Sequence, residues 1–261
     1  MTRYAYVLIT GASSGIGAAL ALECAAPGVV LHLSGRDAAR LEATAAACRA
    51  RGAEVRARVL DAIDAAAMAD WISQAGRLDL VVANAGISAG TGDGRAESAA
   101  QVRAIFGTNL GGVLNTVLPA MAEMAAQPAG PDGLRGRIAV VASIAAFLAA
   151  PGAPAYCASK AAVDAWTVGS IPSARARGIG LASICPGYVR SAMTAPNRFP
   201  MPGLMDADRA ARIILRGIAA GRRRVVFPWW MGVAARLLGL LPLAWSAQLL
   251  AIAPGKEARE G

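Results

Sequence analysis

A doubly wound parallel α/β sheet, of about seven strands with helices on both faces, is the fold this sequence predicts. Two observations predict it. Apolar runs of strand length, rich in valine, isoleucine and leucine, alternate with longer helical stretches along most of the 261 residues. The first run leads at once into a glycine-rich turn and a helix, which is how a nucleotide-binding βαβ unit opens. No internal repeat and no linker divides the chain, so a single domain over 1–261 is expected.

The strand runs fall at 4–10 (YAYVLIT), 29–34 (VVLHLS), 54–60 (EVRARVL), 78–84 (LDLVVAN), 136–143 (GRIAVVAS), 179–185 (IGLASIC) and 223–227 (RRVVF). Helical stretches lie between them at 16–26, 37–51, 64–75, 98–127, 154–176 and 206–220. Right-handed crossovers between parallel strands leave little topological freedom. Residues 127–137 (QPAGPDGLRGR) read as a surface loop before the fifth strand.

A chain this long buries roughly three quarters of its unfolded surface, so its core needs no metal or disulfide staple. Cys24, Cys48, Cys157 and Cys185 are scattered with no C-x-x-C pair, which argues against a zinc ribbon and suits a reducing, cytoplasmic setting. No secretion signal is expected, since the first strand run opens almost at once. Histidine occurs once, as His32 inside an apolar run, where a core role fits best. One histidine excludes a Ser-His-Asp triad and a His-rich metal site, and no metal is expected. The net charge is +9; the charged residues are mostly spread out, with one tight cluster at Arg222, Arg223 and Arg224. Aromatic and basic residues do not interleave as base-stacking surfaces require, so nucleic acid is not an expected partner. A phosphorylated cofactor suits the charge.

The turn VLITGASSGIG carries Gly11, Gly15 and Gly17 around Ser13, Ser14 and Ile16. Glycines there allow a tight turn and close approach of a ligand. The helix that follows aims unpaired N–H groups and its positive dipole end at a phosphate. The second strand run ends in SGRD. An acid at that tip would bind the ribose hydroxyls of NAD, whereas an arginine accommodates the 2′-phosphate of NADP. Arg36 stands there, and NADP(H) is favoured over NAD(H).

Of the 26 basic residues, 24 are arginine; the two lysines are Lys160 and Lys256. Lys160 follows Tyr156 by four positions, so the two share one helix face. A free tyrosine has a pKa of roughly 10, too high for a base near neutrality. A neighbouring ammonium would lower it, and a compact lysine can do so while binding ribose hydroxyls.

TGASSGIG, NAGI (84–87), Asn109, VASIAA with Ser143, YCASK and CPGYVRSAMT (185–194) occur in order and at workable spacing. By these motifs the chain resembles the single-domain short-chain dehydrogenases/reductases over about residues 4–227. The resemblance implies a Rossmann-fold oxidoreductase that interconverts a carbonyl and an alcohol. It makes Tyr156 the proton donor or acceptor and gives Lys160 the nicotinamide ribose. Ser143 would hydrogen-bond the substrate oxygen, and Asn109 would help hold a water linking Lys160 to solvent. The glycine turn, including Ser13, Ser14 and Ile16, would cradle the pyrophosphate. Asp61 would meet the adenine, and Asn84, Ala85 and Gly86 would line the cofactor near adenine and ribose. Pro186, Gly187 and Val189 would approach the nicotinamide, and Thr194 its carboxamide or a phosphate.

The chain departs from the family pattern in two places. Ser14 stands where many NADP-using members carry a basic residue, so the NADP(H) expectation rests on Arg36. Gly169 and Pro172 both disfavour a helix interior, so a kink is expected within 166–178. Members of the family commonly pack that helix against a second subunit, and a homo-oligomer is expected.

The segment 188–220 reads as a substrate lid whose methionines and prolines suit a bulky or apolar substrate. The tail 228–254 is very apolar but is interrupted by Arg236, Pro242 and Gln248. It reads as two short amphipathic helices, covering the cleft or a partner, or lying on the inner membrane surface as a peripheral contact. Two alternatives to a soluble reductase follow: a membrane-surface reductase of lipid or capsular polysaccharide precursors, and a cofactor-sensing protein without turnover.

Overall fold

The structure is a computed structural model. It describes residues 4–91, 96–197 and 199–242, together with Trp245 and Gln248. The second half of the apolar tail, apart from those two residues, lies outside the described residues, as does Lys256.

Seven strands form one parallel sheet: β1 (Tyr6–Thr10), β2 (Val30–Gly35), β3 (Glu54–Val59), β4 (Leu80–Ala83), β5 (Gly136–Val141), β6 (Ile179–Pro186) and β7 (Arg224–Phe227). Their order is β3-β2-β1-β4-β5-β6-β7. The order reverses between β1 and β4, where Val7, Leu8 and Ile9 pair with Leu80, Val81 and Val82. A crevice at the carboxyl ends of the strands opens at such a reversal.

Successive side chains on each strand point to opposite faces, so the sheet divides two cores. Val7, Ile9 and Val82 pack with α1 (Gly15–Cys24), α2 (Ala38–Arg49) and α7 (Ala207–Ala219). Leu8 and Val81 pack with α3 (Ala65–Ser73), α5 (Gly112–Ala126) and α6 (Pro154–Ala176). His32 is buried in β2, and burial holds its imidazole below the usual value.

The helix read as continuous over 98–127 is α4 (Ala99–Phe106) and α5 joined by a π-turn, Gly107–Gly111. The turn holds Asn109 in the interior, and such bulges recur at functional positions. Apolar periodicity does not reveal one inserted residue.

The helix read over 154–176 is present over its full length. Helix α6 runs through Gly169 and Pro172 for 23 residues. Its buried face carries Val163, Asp164, Thr167, Ile171 and Ala174, and packing of that face outweighs local propensity. Gly169 is exposed, and a Cβ added there meets nothing within 4 Å. Gly169→Ala is therefore expected to stabilise the chain by about 0.5–1 kcal/mol in urea unfolding. Destabilisation would show instead that a second copy of the chain approaches the helix there.

Within 188–220, residues 188–197 and 199–206 belong to an irregular flap pinned by the Val189–Met205 bridge, and the remainder is α7, buried against α1. After β7 the chain turns into α8 (Trp229–Gly239), the first of the two expected tail helices.

Candidate active site

Gly11 and Gly15 adopt φ of +66° and +56°, a region that side chains with a Cβ avoid. A Cβ on Gly11 would also stand 2.9 Å from Ala85 Cα. The N-cap of α1, Ser14, makes no side-chain cap bond, so the N–H groups of the first turn are left for a ligand. A dinucleotide pyrophosphate fits this cradle on both counts. Gly17 faces inward: a Cβ there would fall 2.2 Å from the Gly11 carbonyl oxygen and 2.6 Å from Asn84 Nδ2. The Asn84 amide donates to the carbonyls of Thr10 and Gly11 at 3.0 and 3.1 Å. Its side chain thus braces the turn.

Strand β2 ends at Gly35, which puts Arg36 directly at the strand tip. The Arg36 guanidinium lies 3.8 Å from the Asp61 carboxylate with half its side chain exposed. Asp37 caps α2, accepting from the Arg40 N–H at 2.9 Å and from Arg40 Nε at 2.7 Å. These bonds hold the Asp37 carboxyl below the usual range. Arg40 borders the same cavity as Arg36, one helical turn on. The sequence reading missed it, although the four-residue spacing from Arg36 was there to find.

Tyr156, Lys160 and Ser143 meet at the centre of the cavity. Tyr156 and Lys160 lie on α6, 9% and 4% exposed. Ser143 follows β5 and caps a 3-10 turn, Ile144–Phe147, accepting from the Ala145 N–H at 3.1 Å. Lys160 Nζ donates to the Val141 carbonyl at 2.8 Å. Burial pushes the Tyr156 phenol up from its usual value, and a hydrogen bond with Ser143 pulls it down. The net direction is upward, opposite to the fall expected from the lysine. Desolvation of a side chain enclosed on all sides is the larger effect.

Asn109 stands behind these groups. Its amide donates to the Ile87 carbonyl and to Ser159 Oγ, both at 3.0 Å, while its carbonyl oxygen accepts from the Ile87 N–H at 2.8 Å. Ser159 in turn donates to the Tyr156 carbonyl at 2.8 Å. A Cβ on Gly86 would lie 3.2 Å from Asn109 Oδ1 and 3.5 Å from Lys160 Nζ, which measures how closely the three pack. The Asn109 side chain therefore ties the end of β4 to α6.

One cavity of ≈ 1220 Å³ joins the cradle, the arginines and the tyrosine. Every residue expected from the sequence borders it except Gly17 and Asn109. Thr194, in the flap, donates to the Val189 carbonyl at 2.8 Å. The cavity continues past Tyr156 into an arm lined by Leu148, Tyr188, Phe199, Trp230, Met231 and Leu238. The charged residues bordering the cavity are Arg36, Asp37, Arg40, Asp61 and Lys160, and none belongs to that arm. Helix α8 thus covers the cleft, one of the placements the sequence left open for the tail; which of its side chains face the cavity was not legible, because residues so far apart in sequence meet only through the fold.

The family model described as short chain dehydrogenase matches residues 5–200. An oxidoreductase of Myxococcus xanthus (strain DK1622) is 38% identical over 243 residues, covering 92% of this chain and 93% of its own. A short chain dehydrogenase/reductase from Burkholderia phymatum, solved in complex with NAD, superposes with a TM-score of 0.80 at 26% identity, over 91% of this chain and 94% of its own. A short-chain dehydrogenase from Sphingobium yanoikuyae in complex with NADPH gives a TM-score of 0.76, also at 26% identity, over 91% and 96%. The sheet order, the glycine turn at its reversal and these matches lead to one assignment: the chain belongs to the short-chain dehydrogenase family of oxidoreductases.

Proposed function

We propose that this chain is an NADP(H)-dependent oxidoreductase that interconverts a carbonyl and an alcohol on an uncharged, largely apolar substrate. The observation that carries the reading is the single cavity, with two arginines at one end, Tyr156, Ser143 and Lys160 in the middle, and an uncharged arm beyond. The glycine turn and the start of α1 would hold the pyrophosphate, Arg36 and Arg40 the 2′-phosphate, and Lys160 the nicotinamide ribose. When bound, the nicotinamide supplies or accepts the hydride.

The chain supplies the proton and the charge stabilisation. In reduction, Tyr156 donates its phenolic proton to the substrate oxygen, and the Ser143 hydroxyl donates a hydrogen bond to the same atom as negative charge develops there. The upward push of burial on Tyr156 keeps the phenol protonated through neutrality, which suits a donor. In oxidation the phenolate is the active form, so that direction should rise toward alkaline pH. Apolar walls exclude water and strengthen both interactions.

The test is a paired titration with NADPH and NADH. Wild type should bind NADPH more tightly. Arg36→Asp should weaken NADPH by about 10–100-fold, the value of one or two charge-assisted bonds, while NADH changes little. Unchanged cofactor preference in the variant would refute the 2′-phosphate assignment and leave the family membership intact.

A further inference from the structure

Helix α8 is apolar on two opposite faces. Its inner face gives Trp230, Met231 and Leu238 to the cavity. Its outer face carries Trp229, Val233, Leu237 and Leu240, which are 74, 45, 61 and 81% exposed and border no part of the cavity. Their spacing of four, four and three residues makes one stripe. Trp245, just beyond, is also exposed. A stripe of large apolar side chains turned to solvent marks an interaction surface.

The charge of the same region says what it meets. From Arg209 to Lys256 the chain has seven arginines, one lysine and no acidic residue, so this segment holds eight of the nine net positive charges. Within 228–254 the only polar side chains are Arg236, Ser246 and Gln248. Of the seven arginines, Arg222, Arg223, Arg224 and Arg236 lie near the stripe because α8 folds back along β7, whereas Arg209, Arg212 and Arg216 belong to α7. A Cβ on Gly232 would fall 2.3 Å from Val226 Cγ1, and Arg224 and Arg236 share the Phe147 ring at 5.7 and 4.2 Å. The exposed Arg222 and Arg223 thus stand toward the end to which α8 returns. No described helix is long and apolar enough to cross a membrane.

We infer that the outer face of α8 docks on an anionic lipid surface, with Trp229, Val233, Leu237 and Leu240 entering the headgroup boundary and Arg222, Arg223 and Arg236 meeting the phosphates. Tryptophan at the interface and arginines flanking an apolar stripe are the recognition chemistry of such a surface. The surface is separate from the chemistry at Tyr156. It sets that chemistry beside lipid, because Trp230 both lines the apolar arm and reaches solvent at 44% exposure. The substrate class that fits is a neutral carbonyl compound with a long apolar body, taken from the bilayer.

Cosedimentation of the full chain with phosphatidylcholine vesicles, with and without phosphatidylglycerol, tests the docking. Wild type should bind the anionic vesicles and be released by salt. The variant Trp229→Ser/Leu237→Ser/Leu240→Ser should bind at least about a hundredfold more weakly. Arg222→Gln/Arg223→Gln should lose about thirtyfold, on anionic vesicles alone. Both variants should bind NADPH as wild type does; a cofactor defect shared with wild type would count against the catalytic reading and not against docking. No vesicle binding by wild type, or equal binding by the triple serine variant, overturns the proposal. So does a wild-type dimer that the triple variant splits while neither binds vesicles, which would assign the face to a second copy.

Discussion

Tyr156→Phe should lower kcat by about a thousandfold or more while NADPH binds within about threefold of wild type if Tyr156 is the proton donor proposed above, because the substitution removes the hydroxyl and leaves the ring. The phenyl ring keeps the packing of a side chain that is 9% exposed, so the cavity holds its shape. The hydroxyl is what Ser143 contacts, and Ser143 follows β5 on a turn whose conformation depends on its own bond to the Ala145 N–H. Ser143→Ala should therefore cost less than Tyr156→Phe, since the tyrosine remains and only the hydrogen bond to the developing oxyanion is lost. The pH profile provides an independent check. Burial raises the Tyr156 pKa, so the phenol is intact across neutral pH and carbonyl reduction should be flat there. Alcohol oxidation needs the phenolate and should climb as pH rises. Near-normal turnover by Tyr156→Phe would remove the tyrosine from the chemistry and leave the cavity as a binding site.

How much of this could be read from the sequence depended on the range of each interaction. The glycine turn, the Tyr156–Lys160 spacing and the apolar strand runs are local patterns, set by φ, by the helical repeat and by strand length, and the structure has each as an element of the kind expected. The place of Arg36 at the tip of β2 was legible for the same reason, and that of Arg40 on the same cavity was missed because the helix beyond Arg36 was not followed. The failures are non-local. Pro172 and Gly169 do disfavour helix, but the face of α6 buried against β6 holds the helix together. The direction of the Tyr156 shift depends on what encloses the ring, and α6, β5 and the flap come together only in the fold. The apolar tail was legible as amphipathic, yet its two apolar faces, one on the cavity and one on solvent, could be separated only once α8 was seen lying along β7. The Asn109 side chain shows the same limit. Its place in the motif order was clear, whereas its bonds to Ile87 and Ser159 join segments 22 and 50 residues away.

Asp164→Ala should cost about 3 kcal/mol of stability, although its side chain lies outside the cavity. Tyr156, Lys160 and Asp164 succeed one another at four-residue intervals on α6, so the aspartate stands on the face that carries the chemistry, one turn deeper. Its carboxylate accepts from Ser183 Oγ at 2.6 Å, from Arg224 Nη2 at 2.7 Å and from Arg224 Nε at 3.1 Å. Cys185 Sγ donates at 3.5 Å, and burial followed by the aspartate's charge pushes that thiol up to about 12, so it remains a donor. One buried carboxylate thereby fixes α6 to β6 and β7. Removing it leaves a guanidinium, a hydroxyl and a thiol without their acceptor; the Arg224 side chain is a third exposed, so water relieves part of the cost and the loss stays at the lower end of the range for a broken buried pair. Asp164→Asn retains an acceptor and should lose about half as much. Asp164→Ala/Arg224→Leu should recover most of the loss, because no buried charge is then stranded. The readout is the urea midpoint of the three variants, with NADPH affinity measured on each. An Asp164→Ala midpoint equal to wild type would show that the pair adds nothing to the fold. If the site depends on this anchor, cofactor affinity and turnover should fall for Asp164→Ala and return in the double variant, since Lys160 reaches the Val141 carbonyl only while α6 is held at its present height over β5.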